Sequence, residues 1–263
     1  MIQTTENKLQ LLFREKKDIL SVFFTAGFPK LEDTTEVLLA LQDSGADLVE
    51  IGMPFSDPIA DGPTIQESNA VAINNGITID KILDQLESIK DKLEIPIVLM
   101  GYLNPVVQYG FQKFLDRCSA IGVSGTILPD VPMYEYQSYY KEAYEDSGLV
   151  NVFLVTPQTS EKRIKEIDQI SNGFIYLVAT AGTTGARKGI TEEQISYFKR
   201  INDLKLNNPG IVGFGISNHE SFKTACKYSG GAIIGSAFIN LLKESKNLKE
   251  DIDQFIKSIR GVS

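Results

Sequence analysis

The chain is expected to fold as an α/β protein: a single-domain (β/α)8 barrel, the TIM-barrel architecture, with an extra helix at its N-terminus. Three observations lead there. Short β-branched runs alternate with longer amphipathic stretches from end to end. Eight such strand–helix units fit into 263 residues. No low-complexity linker or composition shift divides them, so residues 1–263 read as one domain. A strand, a helix and another strand in succession imply parallel pairing through right-handed crossovers, and eight of these units close into a barrel. The rival is a doubly wound open sheet. It would carry a Gly-rich fingerprint after its first strand, and Thr25-Ala-Gly-Phe-Pro29 is not one.

The opening segment MIQTTENKLQLLFREKK has no apolar signal core and reads as an amphipathic helix. Strands are expected at Ser21–Ala26, Asp47–Met53, Pro96–Tyr102, Gly125–Leu128, Asn151–Thr156, Phe174–Ala179, Ile211–Gly215 and Ala232–Ile234. Helical patterns separate them: Leu31–Ser44, then Thr64–Asn75 with Ile79–Lys92, then Phe111–Ile121 and Tyr134–Ser147. Ser160–Ser171, Thr191–Asn207, His219–Ser229 and a final Asp251–Ile259 complete the series.

Composition narrows the function. The net charge is −8, with no basic patch of the kind that binds nucleic acid. No apolar run is long enough to span a bilayer, and a cytoplasmic enzyme is the expectation. Cys118 and Cys226 lie in separate helical segments and read as thiols. His219 is the one histidine, so a zinc site or a Cys/His nucleophile has too few ligands. Acid–base chemistry is left to carboxylates, tyrosines and lysines.

The segment Asp47-Leu-Val-Glu-Ile-Gly-Met-Pro-Phe-Ser-Asp-Pro-Ile-Ala-Asp-Gly-Pro-Thr64 carries the sharpest signal. Strand alternation puts Val49, Ile51 and Met53 toward the outer helices. It points Leu48, Glu50 and Gly52 into the barrel, with Gly52 expected to leave open space above Glu50. A carboxylate inside an apolar strand is costly unless paired, hydrogen-bonded or neutralised. Tyr102 and Tyr176 can both reach inward, so a structural Glu satisfied by a tyrosine stays open beside an acid–base role. Asp61 follows on a loop stiffened by Pro54, Pro58 and Pro63. The plainer reading of Asp61 and Asp57 is a turn or capping residue. At the other side of the barrel, Gly213-Phe-Gly-Ile-Ser217 ends the seventh strand and Gly235-Ser236 follows the eighth. Glycines and the helix N-termini after them suit an anion, and barrels place phosphate sites there. Thr180–Gly189, small and aperiodic, reads as a lid over the same face.

These residues together resemble the alpha subunit of tryptophan synthase. The resemblance runs through FFTAGFP at 23–29, LVEIGMPFSDPIADGPTIQ at 48–66, GYLNP at 101–105 and LPDVP at 128–132. It continues through GFIYLV and GTTGAR within 173–187, GFGIS at 213–217 and IGSAF at 234–238. It implies retro-aldol cleavage of indole-3-glycerol phosphate to indole and glyceraldehyde 3-phosphate in tryptophan biosynthesis, with no cofactor in this chain. Glu50 and Asp61 are then the catalytic pair. Phe23, Met100 and Leu128 face the indole, with Tyr102 in the same pocket. Tyr176 lies near Glu50, and Thr184 sits in the closing loop beside Asp61. Gly185, Phe214, Gly215, Gly235 and Ser236 surround the phosphate. The implied partner is the pyridoxal-phosphate-dependent beta subunit in a two-alpha, two-beta complex, met by Pro54, Phe55, Ser56 and Asp57. Ala179-Thr-Ala-Gly-Thr-Thr-Gly185 departs from the usual family pattern of Ser, a variable pair, then Gly-Val-Thr-Gly.

Other functions fit less well. A Schiff-base aldolase needs an inward strand lysine, and none of the eight predicted strands has one. A phosphosugar isomerase would not want the apolar slot of Phe23, Met100 and Leu128. A free-standing indole-releasing lyase and a catalytically silent phosphate-binding barrel remain as alternatives.

Overall fold

The computed structural model describes residues 6–58, 61–179, 190–213 and 215–262. Eight strands follow one another around a closed barrel: β1 (Ile19–Thr25), β2 (Leu48–Gly52), β3 (Ile97–Met100), β4 (Gly125–Ile127), β5 (Val150–Val155), β6 (Ile175–Val178), β7 (Gly210–Gly213) and β8 (Gly231–Ile234). Every neighbouring pair is parallel, and β8 closes onto β1. All eight lie at the predicted places, shifted by a residue or two at their ends. β1 and β2 are buried along their whole length, as strands covered on both faces must be.

Register fixes which side chains share the interior. Phe23 stands beside Glu50, and Glu50 beside Val98. Thr25 stands beside Gly52, and Gly52 beside Met100. With the period of two along a strand, Ser21, Phe23, Leu48, Glu50 and Gly52 all face inward.

The helix Lys8–Glu15 covers the N-terminal mouth of the barrel. Asn7 caps it and also donates to the carbonyls of Ser124 and Gly148, which precede β4 and β5. Leu9 is fully buried, and the ring of Phe13 lies 5.3 Å from that of Phe174. At the same end, Asp47 accepts the Leu20 amide and pairs with both Lys16 and Arg260. One carboxylate therefore ties the start of the barrel to the last helix, Leu248–Arg260.

The helices Phe111–Ile121 and Pro63–Asn74 match their predicted spans closely. Two helices have no predicted span. Leu103–Tyr109 is short and carries Pro105 in its first turn, which hides its period. A helix start was expected after Gly235-Ser236 but its extent was not, and Ser236–Glu244 begins from Gly235 with no side-chain cap. The predicted Tyr134–Ser147 helix is broken instead by a π-turn at Tyr136–Tyr140. The wide turn lets Tyr136 stack edge-on to Phe153 at 4.9 Å while Tyr144 bonds Thr126. Cys118 and Cys226 are both free thiols. Among the described residues no helix is long and apolar enough to cross a membrane.

Candidate active site

The site sits at the C-terminal end of the barrel strands, where the loops after each strand converge. Glu50, in the middle of β2, is wholly shielded from solvent. Ser21, the inward residue at the heart of β1, donates a 2.7 Å hydrogen bond to its Oε1. Its Oε2 has no hydrogen-bond partner among the described residues. Burial pushes the Glu50 carboxyl up to about 8, and the Ser21 hydroxyl offsets this in part.

The Asp61 amide bonds the Pro58 carbonyl at 3.0 Å. Gly62 then caps the helix Pro63–Asn74, which has proline at its first position and no side-chain cap. The Asp61 carboxylate is thus not spent on capping, contrary to the plainer reading of the sequence. It is half-buried, with the Tyr102 hydroxyl 3.5 Å from Oδ2. Burial raises it to about 6, against the opposing hydrogen bond from Tyr102. Tyr176 on β6 is buried, and its phenol is held well above the ordinary range by that burial and then by the nearby Glu50 and Asp61 carboxyls. Its ring fills the room that Gly213 vacates: a Cβ on Gly213 would lie 2.2 Å from the tyrosine oxygen.

Gly52 does not leave open space above Glu50. The ring of Phe23 occupies it, so close that a Cβ on Gly52 would lie 2.6 Å from the ring. The hollow beside it has a volume of about 20 Å³ and is walled by Phe23, Met100, Tyr102, Asp61, Ile65 and Asn69, among others. Glu50 lies one inward step below this floor. Leu128 lines a second hollow of about 210 Å³ with Met133, Phe153 and Arg163. Pro129 forms a wall common to both.

At the predicted anion end, Gly235 precedes the helix Ser236–Glu244, and a Cβ there would meet the Phe23 ring at ordinary contact distance. Gly215 takes a left-handed φ of 79° and is exposed. The helix His219–Cys226 differs from expectation. Asn218 and Ser221 form a reciprocal capping box that occupies its first donors. Of these two helices, the one at Ser236–Glu244 begins without a side-chain cap, as Pro63–Asn74 and Phe111–Ile121 also do. His219 bonds the Ile259 carbonyl at 2.8 Å and takes no part. Thr184, Gly185 and Phe214, together with the whole of 180–189, lie outside the described residues. Among the described residues no group of three or more His, Cys, Asp or Glu side chains is arranged to hold a metal ion.

On the loop expected to meet a partner, Pro54 and Phe55 are half-buried, and Ser56 and Asp57 are exposed. The Ser56 hydroxyl donates to Asp57, and the Phe55 ring stacks 5.0 Å from Tyr102. Sequence reasoning missed Ser21, Ile65, Asn69 and Pro129. Of these, Ser21 alone had a legible signal: a hydroxyl in an apolar strand next to the strand that buries a carboxylate.

Comparison with known proteins bears on this geometry. A family model described as tryptophan synthase alpha chain matches residues 9–261. The tryptophan synthase alpha chain of Flavobacterium johnsoniae is 51% identical over 254 residues, covering 97% of this chain and 100% of its own. That of Christiangramia forsetii is 48% identical, covering 98% of this chain and 100% of its own. The crystal structure of the tryptophan synthase alpha chain from Legionella pneumophila superposes with a TM-score of 0.88 at 31% identity, covering 98% of this chain and 97% of that one.

Proposed function

The chain belongs to the tryptophan synthase alpha chain family and is a lyase that cleaves indole-3-glycerol phosphate in tryptophan biosynthesis, and from that premise we propose that Glu50 and Asp61 carry the chemistry between them. The carbon–carbon bond to indole C3 breaks once C3 has accepted a proton, because the ring can then take up the bonding electrons and leave as neutral indole. The hydroxyl on the adjoining side-chain carbon loses its proton as the aldehyde forms. Glu50 gives the first proton and receives the second, so it ends the cycle as it began. Asp61 accepts the indole N–H and stabilises positive charge as it develops on the ring.

The observation that carries this reading is the separation of the two acids. Glu50 at about 8 holds a proton at neutral pH, whereas Asp61 at about 6 is mostly charged. Two carboxyls with different environments thus take different roles. The uncapped start of the helix Ser236–Glu244 supports a phosphate site there, which would anchor the substrate for attack. The chemistry asks for proton transfers alone, and we propose that this chain works without a cofactor of its own.

We also infer a beta-subunit partner in a two-alpha, two-beta complex, with the loop from Pro54 to Asp57 facing it. The exposed Ser56–Asp57 tip supports this, as does the stacking of Phe55 on Tyr102, which in turn bonds Asp61. A cytoplasmic location goes with such a role in amino-acid biosynthesis, and cell fractionation tests it. The central experiment is indole release from indole-3-glycerol phosphate by the purified chain, with and without a beta subunit. Glu50→Gln is expected to lose turnover and keep ligand binding. Substantial residual cleavage by that variant would remove Glu50 from the mechanism.

A further inference from the structure

Among the described residues, the hydrogen bond to Glu50 comes from Ser21, and it reaches one of the two carboxyl oxygens. Ser21 and Glu50 are both fully buried, on adjacent strands, with Ser21 one inward step below Phe23, the residue in register with Glu50. The Ser21 hydroxyl donates to Oε1 at 2.7 Å, while Oε2 has no partner among the described residues. A buried hydroxyl that accepted rather than donated would leave its own hydrogen without a partner, which is costly away from water. Donation by Ser21 therefore marks Oε1 as the carbonyl-like oxygen of the protonated acid. We propose that Ser21 is a positioning residue for the reaction: it holds Oε1 and so leaves the transferable proton on Oε2.

This rests on the reading of Glu50 as the proton shuttle and adds which oxygen acts. The Oε2–H bond breaks as a C–H bond forms at indole C3. The ring's carbon–carbon bond to the side chain then breaks, and the side-chain hydroxyl returns its proton to Oε2. Throughout, Ser21 keeps its bond to Oε1, which limits rotation of the carboxyl and steadies its charged form between the two transfers. The same contact keeps a lone buried carboxylate from becoming too weak an acid to donate, consistent with its downward pull on the Glu50 proton affinity.

Three variants of the intact chain separate this from a packing role. Ser21→Ala removes the donor, Ser21→Cys keeps the volume with a much weaker donor, and Ser21→Thr restores the hydroxyl. The readout is the pH profile of indole release, with kcat and KM separated, beside the melting temperature. Ser21→Ala and Ser21→Cys are expected to lower kcat about tenfold at unchanged KM and to move the alkaline limb up by about one pH unit. Ser21→Thr should restore both. Alkaline limbs that superimpose on the parent's, or a loss of kcat that follows melting temperature alone, would overturn the proposal. Glu50→Gln is measured in parallel. If it retains turnover, the shuttle itself fails; if it is dead while the Ser21 profiles do not move, only the positioning role fails.

Discussion

At Glu50 the side chain's environment sets both its chemistry and its cost. Its carboxyl is raised from 4.5 to about 8 by burial, and Asp61 from 3.8 to about 6. The acid must be protonated and the ring stabiliser must be charged. The profile of kcat/KM against pH is therefore expected to be a bell, with limbs near 6 and near 8. A single-limbed profile, or a maximum outside that window, would refute the division of roles. The same shift has a consequence for folding. A group whose proton is held more tightly in the folded state contributes stability that is complete below about 4.5 and is lost as pH rises through about 8. Glutamine has no proton to lose. Glu50→Gln should thus gain stability over the parent as pH rises, reaching roughly 3–5 kcal/mol by pH 9 and little near pH 4.5, as read by urea unfolding at each pH. Glu50 was legible because an apolar strand broken by one carboxylate is rare. The covering of Gly52 by Phe23 was not, since alternation says which residues face inward but not how a ring folds over its neighbour.

Between strands and helices, the two candidate phosphate helices look alike in sequence and differ in how they begin. Asn218 and Ser221 satisfy the start of His219–Cys226, while Ser236–Glu244 starts from Gly235 with no side-chain cap. Anion affinity should follow the uncapped helix. Ser236→Asp places a carboxylate where the phosphate is expected and should raise KM for indole-3-glycerol phosphate by about tenfold or more, an effect of about 1.4 kcal/mol. Asn218→Ala should cost about 1 kcal/mol of stability and leave KM unchanged. Reversal of these two outcomes in steady-state kinetics and thermal unfolding would move the anion site to the other helix. The eight strands were readable from β-branched runs because both faces are buried and their pattern needs no partner to be recognised. The start of the Ser236 helix was legible at Gly235-Ser236, but its extent was not assigned, because it has no capping side chain to mark it as an element of its own. The π-turn at Tyr136–Tyr140 was equally hidden, since its cause is the aromatic contacts of Tyr136 and Tyr144 with distant residues.

Across the whole molecule, one strand carries two acids with opposite effects. Asp47 stands at the start of β2, at the N-terminal mouth of the barrel, where it binds the Leu20 amide, Lys16 and Arg260. Glu50 stands three residues along and, among the described residues, accepts a hydrogen bond from Ser21. Asp47 joins segments that lie at opposite ends of the sequence, so its contacts exist only when the barrel has closed. Glu50 makes closure harder at high pH, and its raised proton affinity is what the proposed mechanism uses. This matches the separation of roles in barrels, with stability at the N-terminal face and chemistry at the C-terminal face. Asp47→Ala leaves the partly buried Arg260 without its carboxylate and should lower unfolding free energy by roughly 2–4 kcal/mol, less than a fully buried pair because Lys16 reaches solvent. Its kcat and KM at temperatures well below unfolding should equal the parent's, because nothing in the catalytic cavity touches it. Combined with Glu50→Gln, the two changes should add within about 0.5 kcal/mol in stability at pH 9, as independent sites do. A large non-additive term, or a fall in kcat from Asp47→Ala alone, would mean that the two mouths of the barrel are mechanically coupled through β2.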